Sequence, residues 1–278
     1  MRSTNPVFTR SEQFSHAPAQ APQYGQQQYG DPHGAQAPFP GGQAPHGQQS
    51  AQGVMTIDDV ITKSAITMGA LVASAAVTFM FLPPTLMLPA LILSGIVGFV
   101  AVLMVSLRRV VNPAFVLAYS VIEGVFIGAF SLLFERLYPG IVANAVLGTF
   151  VAAGATLAGY KFLRSNGVKV TSKFRKIVTI STFGLLGVVL INLLFSLFGG
   201  GLGLRAIGPD AGPLAWLVSA VAVVLAVANL IMDFDYIEQG IRNRLPATES
   251  WRAAFGLTVT MVWLYTEILR ILSYFRQN

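Results

Sequence analysis

Residues 86–107 read LMLPALILSGIVGFVAVLMVSL, twenty-two consecutive positions without a charged side chain. Coiled as an α-helix at 1.5 Å per residue, the run covers about 33 Å, enough to cross the ~30 Å hydrocarbon core of a bilayer. On its N-terminal side Pro83-Pro84 ends a preceding apolar run. Proline blocks helix continuation and restricts the residue before it, so the two runs are expected to be helices joined by a tight turn. Outward from this pair the pattern repeats. The expected spans are Thr62 to Leu82, Leu86 to Leu107, Pro113 to Leu133, Ile141 to Lys161, Ile177 to Phe198, Leu214 to Ile231 and Ala253 to Tyr274.

The composition agrees. The chain is 54% hydrophobic and only 11% charged, with a mean hydropathy of +0.62, where a soluble domain carries charge on roughly a quarter of its residues. Its solvent is therefore lipid, and the fold class is an all-α membrane protein. The net charge of +6 needs no nucleic acid to explain it, because Lys and Arg sit in short clusters between apolar runs, where a membrane protein carries its orientation signal. With the N-terminus in the cytoplasm, Lys63, Arg108, Arg109, Lys161, Arg164, Lys169, Lys173, Arg175, Lys176, Arg242, Arg244 and Arg252 fall on the inner side, together with Arg2 and Arg10. The outer side receives only Arg136, Arg205 and Arg276. The expected location is the cell membrane, with the N-terminus cytoplasmic and the C-terminus outside.

Residues 1–53 are Gln, Pro, Gly, Ala and Tyr with few aliphatics. Such a stretch buries too little surface to offset its ordering entropy, so it is expected to be a disordered cytoplasmic tail ahead of a membrane domain at 54–278. Lacking an apolar core behind a basic start, it does not read as a secretory signal, and the first span is expected to target the chain. Asp58 and Asp59 precede that span, where carboxylates suit the positive end of a helix.

Several chemistries are excluded. There is no cysteine, and His16, His33 and His46 all lie in the tail, so no span can supply a thiolate, an imidazole ligand or a histidine base. Gly154–Lys161 departs from a phosphate-binding loop by one extra residue and by the missing Ser or Thr, and the glycines at 199–203 read as a flexible outer loop. No cofactor is expected, and no enzyme activity. An intramembrane aspartyl protease would need two catalytic Asp residues in facing spans, and the seventh offers only Glu267.

What remains is a short set of carboxylates. Each costs roughly 2.5 to 3.5 kcal/mol to place at the centre of a span and is a functional candidate for that reason. Glu123 lies mid-span in the third; Asp233, Asp235 and Glu238 close the sixth; Glu267 and Arg270 lie in the seventh. Asp235 and Glu238 share a helix face, while Asp233 points nearly opposite and could simply face the interface. Thr260, Trp263, Leu264, Glu267, Arg270, Ile271 and Tyr274 form a mixed polar and aromatic stripe that should face the bundle interior. Glu267 and Arg270 are also spaced for an i, i+3 ion pair, and Gly124 and Gly128 form a small-xxx-small packing step.

The stretches Ile231-Met-Asp-Phe-Asp-Tyr-Ile-Glu-Gln-Gly240 and Leu264-Tyr-Thr-Glu-Ile-Leu-Arg270 resemble the Bax inhibitor-1 family, over about Met55 to Tyr274 and with most likeness to a bacterial branch. The resemblance implies six helices packed around a central seventh and a pH-sensitive calcium leak, or a regulator of membrane proteolysis or cell death acting through a membrane protease or other protein partner. It also implies a proton-sensitive latch between an acid on the sixth span, matched by Asp235, and one on the seventh, matched by Glu267. Glu123, Arg270, Asp233 and Glu238 would support them, with no metal ligand set assigned. At 1.5 Å per residue these two acids can meet only if the last helix begins below the membrane, around Thr248 to Arg252, or if the sixth span sits deeper than drawn.

Overall fold

The computed structural model describes residues 53–108, 110–200 and 202–276. The chain divides into two units, 1–47 and 48–278. The first, and with it the expected tail as far as residue 52, lies outside the described residues.

Among its described residues the second unit is a bundle of seven helices: α1 (Ile57–Phe81), α2 (Met87–Ser106), α3 (Pro113–Leu137), α4 (Ile141–Ser165), α5 (Ser172–Leu197), α6 (Pro213–Arg242) and α7 (Glu249–Tyr274), with a 3-10 turn at Pro84–Leu86. All seven are long and apolar enough to cross a membrane. The end of the bundle where α1 begins is called the near end below, and the opposite end the far end.

Local chemistry sets the helix starts. The Thr56 hydroxyl accepts the Asp59 amide at 3.2 Å, with Asp58 and Asp59 in the first turn. Asn112 accepts the Ala114 amide at 2.9 Å ahead of Pro113, and Thr171 accepts that of Phe174 at 3.2 Å. Between α3 and α4 the chain turns at Gly140, whose φ of 79° suits glycine. There the Glu135 carboxylate accepts the Gly140 and Val142 amides at 2.6 and 3.2 Å, satisfying donors a helix start leaves open.

The last helix is central. It packs against α1, α3, α4 and α6, while α2 leans on α3 and α5 on α6. Within the expected stripe Thr260, Leu264, Glu267, Arg270 and Tyr274 are buried, and Trp263 and Ile271 are half-buried at its margins. The α1–α3 seam is the tightest. A Cβ at Gly124 would stand 2.5 Å from the Leu71 carbonyl oxygen and one at Gly128 2.5 Å from that of Ala75, so these glycines let two backbones meet. The outward faces carry bare Ile, Leu, Val and Phe, as hydrocarbon solvent requires.

The helices outrun the apolar spans. α6 continues past Ile231 to Arg242, α5 begins at Ser172 rather than Ile177, and α7 begins at Glu249. Hydropathy marks where lipid stops, but the helix continues because its last turns are ion-paired to neighbouring helices. Thr248 precedes α7 without a side-chain cap bond. The turn there is held instead by an isolated bridge between Val54 and Pro246, with the Met55 amide donating to the Leu245 carbonyl at 2.8 Å and the Ala247 amide to that of Gly53 at 2.7 Å.

Candidate functional site

Two contacts fix how α6 and α7 lie side by side. The Thr260 hydroxyl donates to Asp233 Oδ2 at 2.6 Å, and the Ser219 and Tyr274 hydroxyls bond at 3.0 Å. Fourteen residues separate Ser219 from Asp233 and fourteen separate Thr260 from Tyr274, so the antiparallel register is constant. It places Glu267 opposite Ala226, which leaves Asp235 nine residues away, or about 14 Å along the axis.

Asp235 and Glu267 therefore do not form a facing pair. Asp235, buried on the side of α6 away from α7, pairs with the Arg175 guanidinium from the first turn of α5 and accepts Gln239 Nε2 at 2.7 Å. Its face-mate Glu238 gathers the Tyr160 hydroxyl at 2.7 Å and Arg164 Nε at 2.8 Å from α4, together with Arg242. These two acids lock α4, α5 and α6 together at the near end. The acid of α6 that faces α7 is Asp233, which does not simply meet the membrane surface. It stands in the wall of a cavity of about 270 Å³ between α2, α6 and α7, with Tyr236 and Arg252 nearby. The opposition of Asp233 to Asp235 follows the helical spacing; its direction inward does not.

Glu267 is 1% exposed and reaches two cations. The expected Arg270 lies at 3.8 Å (Nε to Oε2), but the closer partner is Arg205, at 2.7 Å (Nη2 to Oε1). Arg205 belongs to the connection between α5 and α6. Beyond the glycines there, this connection folds back into the far end of the bundle. Arg270 Nη1 donates to the Arg205 carbonyl at 2.8 Å, the Gly208 amide donates to Ser273 Oγ at 3.1 Å, and the Tyr274 hydroxyl donates to the Ala206 carbonyl at 3.2 Å. Ile207 packs into the same core cluster as Val262, Tyr265 and Leu269. Past the glycines at 199–203, expected to form a flexible loop, the connection from Arg205 to Ala211 is a plug bonded to α7. Among the described residues its charge is unbalanced, two guanidiniums sharing one carboxylate, and Arg205 Nη1, Arg270 Nε and Glu267 Oε2 are buried atoms without a hydrogen-bond partner.

Glu123 sits between α2 and α3, where a Cβ on Gly98 would come 2.8 Å from its Oε2, so the missing side chain of Gly98 makes room for the carboxylate. Among the described residues no hydrogen bond or ion pair reaches it, and no three Asp, Glu or His side chains converge as a metal site.

Seven apolar helices around a buried, arginine-held set of carboxylates define a polytopic helical membrane protein. The sequence profile of the Bax inhibitor 1 like family matches residues 5–277, and the chain belongs to that family. No curated protein matches it in sequence.

Proposed function

We propose that the protein is a cation leak of the cell membrane, with calcium as the first candidate ion, gated by protonation of Asp235 and Glu267 and oriented with its N-terminus in the cytoplasm. The observation that carries this reading is that each buried carboxylate fastens a different segment through an arginine: Asp235 holds the start of α5 through Arg175, and Glu267 holds the α5–α6 plug through Arg205. The spans offer hard oxygen ligands, which suit a divalent ion such as calcium. Asp233 lies in the cavity an ion would enter from the near end.

The sign of the gating follows from the pairing. A shared proton between two facing carboxylates would hold the helices together and be lost on alkalinisation. Ion pairs behave oppositely: they exist while the carboxylates are charged and vanish as pH falls and protons bind. Acidification should therefore free the plug and the start of α5 and raise the flux.

The test is calcium flux into liposomes containing only this protein over a pH series. Asp235→Asn and Glu267→Gln imitate the protonated state, so both should conduct at neutral pH with a flattened pH response. If both variants keep the wild-type midpoint, the sensor lies elsewhere and Glu123 is next. Absence of flux at every pH would favour the other family role, a non-conducting regulator that binds a membrane protease or other partner. Orientation is tested separately by a Ser172→Cys variant, which an impermeant thiol reagent should leave unlabelled in intact cells.

A further inference from the structure

We infer that the crevice between α1 and α4 is a binding site for one acyl chain of a phospholipid in the leaflet at the far end. The crevice has a volume of about 550 Å³. Its floor is Ile127, Gly128 and Ser131 of α3 with Val262 and Tyr265 of α7. Its walls come from α1 and α4, which are not packed on one another, so the opening is sideways, toward the bilayer. At the rim Val72, Met80 and Phe150 are 55%, 72% and 60% exposed.

Three physical arguments select the occupant. Water is disfavoured, because every hydroxyl on the lining is already bonded within the protein: Ser131 to Tyr265 at 2.6 Å, and Thr149 to the Ala145 carbonyl at 2.7 Å. A buried water needs two to four polar partners, and beyond these bonds the lining offers little more than the second proton of the Ser131–Tyr265 pair. The length suits a hydrocarbon chain. Along α1 the crevice runs from Met68 to Met80, about 18 Å, which matches a chain lying in one leaflet of a ~30 Å hydrocarbon core. Met68, Met80 and Met261 in the lining supply adaptable side chains that can close around a chain of varying kink.

The crevice takes an acyl chain whether or not the protein conducts ions. Its floor is part of α7, and Tyr265 lies two residues before Glu267, so an occupying chain would press on the helix that carries the plug contact.

The experiment uses the full chain in liposomes of phosphatidylcholine carrying a diazirine midway along one acyl chain, with adducts mapped by mass spectrometry after photolysis. Adducts should concentrate on the crevice residues of α1, α4 and α7. Val146→Trp and, from the opposite wall, Val72→Trp should each fill the space and reduce those adducts to the density seen on α2 and α5. Val151→Trp, on the lipid face of α4 outside the crevice, should leave them in place. Labelling spread evenly over all lipid-facing helices, or crevice adducts that survive both filling variants, would overturn the assignment and leave ordinary annular lipid.

Discussion

Replacing Glu267 by Gln removes the one anion among the described residues that the buried Arg270 and the half-buried Arg205 share. Arg205 stands at 2.7 Å and is 19% exposed; Arg270 at 3.8 Å is 9% exposed. Breaking a buried ion pair by deleting one partner costs about 3–5 kcal/mol, because the remaining charge stays desolvated. Here two like charges remain, yet Arg205 sits on a loop and can turn toward solvent, so the low end, about 3 kcal/mol, applies. Arg205→Gln should cost less, about 1–2 kcal/mol, since Arg270 can move up to serve Glu267 as an i, i+3 partner. For a domain of about this size each kcal/mol moves the melting midpoint by about 2–4 °C, so Glu267→Gln should melt about 6–12 °C below wild type and Arg205→Gln about half as far. Adding Arg205→Gln to Glu267→Gln should recover part of the loss by removing the repulsion, a non-additivity expected of groups in one network. The assay is thermal denaturation in detergent at a fixed scan rate, with protease cleavage between Arg205 and Asp210 as a local readout. An Arg205→Gln protein less stable than Glu267→Gln, or strictly additive effects, would refute the shared-anion account.

Gly124→Val should prevent the α1–α3 contact, because the new Cβ would stand 2.5 Å from the Leu71 carbonyl oxygen, a backbone atom that cannot yield cheaply. A loss of about 3 kcal/mol or more is expected, read as a lower melting midpoint and membrane yield. Truncation up to residue 52 should leave the melting midpoint unchanged. Met55→Ala, by contrast, should cost about 2–5 kcal/mol, because Met55 is 2% exposed in a cluster with Val60, Ile237 and Ala253.

The legible part of this sequence is what hydrocarbon dictates locally. Span number, the Pro83-Pro84 turn, the Gly124/Gly128 seam and the interior stripe of α7 all follow from properties of one helix at a time. The positions of the helix ends in the aqueous layers did not follow, since hydropathy ends at the membrane surface while α6 continues to Arg242 on the strength of contacts with other helices. The carboxylates were individually conspicuous because each is costly in lipid. Their partners were not. Arg175 is 60 residues from Asp235 and Arg205 is 62 from Glu267, and no helical spacing links residues that far apart. One signal pointed that way: a carboxylate buried in a span must be neutralised by a proton, a metal or a cation, and Arg205 was among the few far-side cations on offer.

That partner choice changes the physical account of the site more than any shift of a helix boundary. Had the two acids faced each other, like-charge repulsion would be the stored energy and alkali the trigger. With each acid held by its own arginine, the energy lies in two attractive pairs at opposite ends of the bundle, about 14 Å apart along α6. Their effects on stability should then be close to additive, because sites more than about 10 Å apart with no shared partner rarely couple. A double variant, Asp235→Asn with Glu267→Gln, should therefore lose the sum of the two single losses in melting experiments. A loss no larger than either single one would mean that the pairs act as one latch after all, through movement of α6 itself.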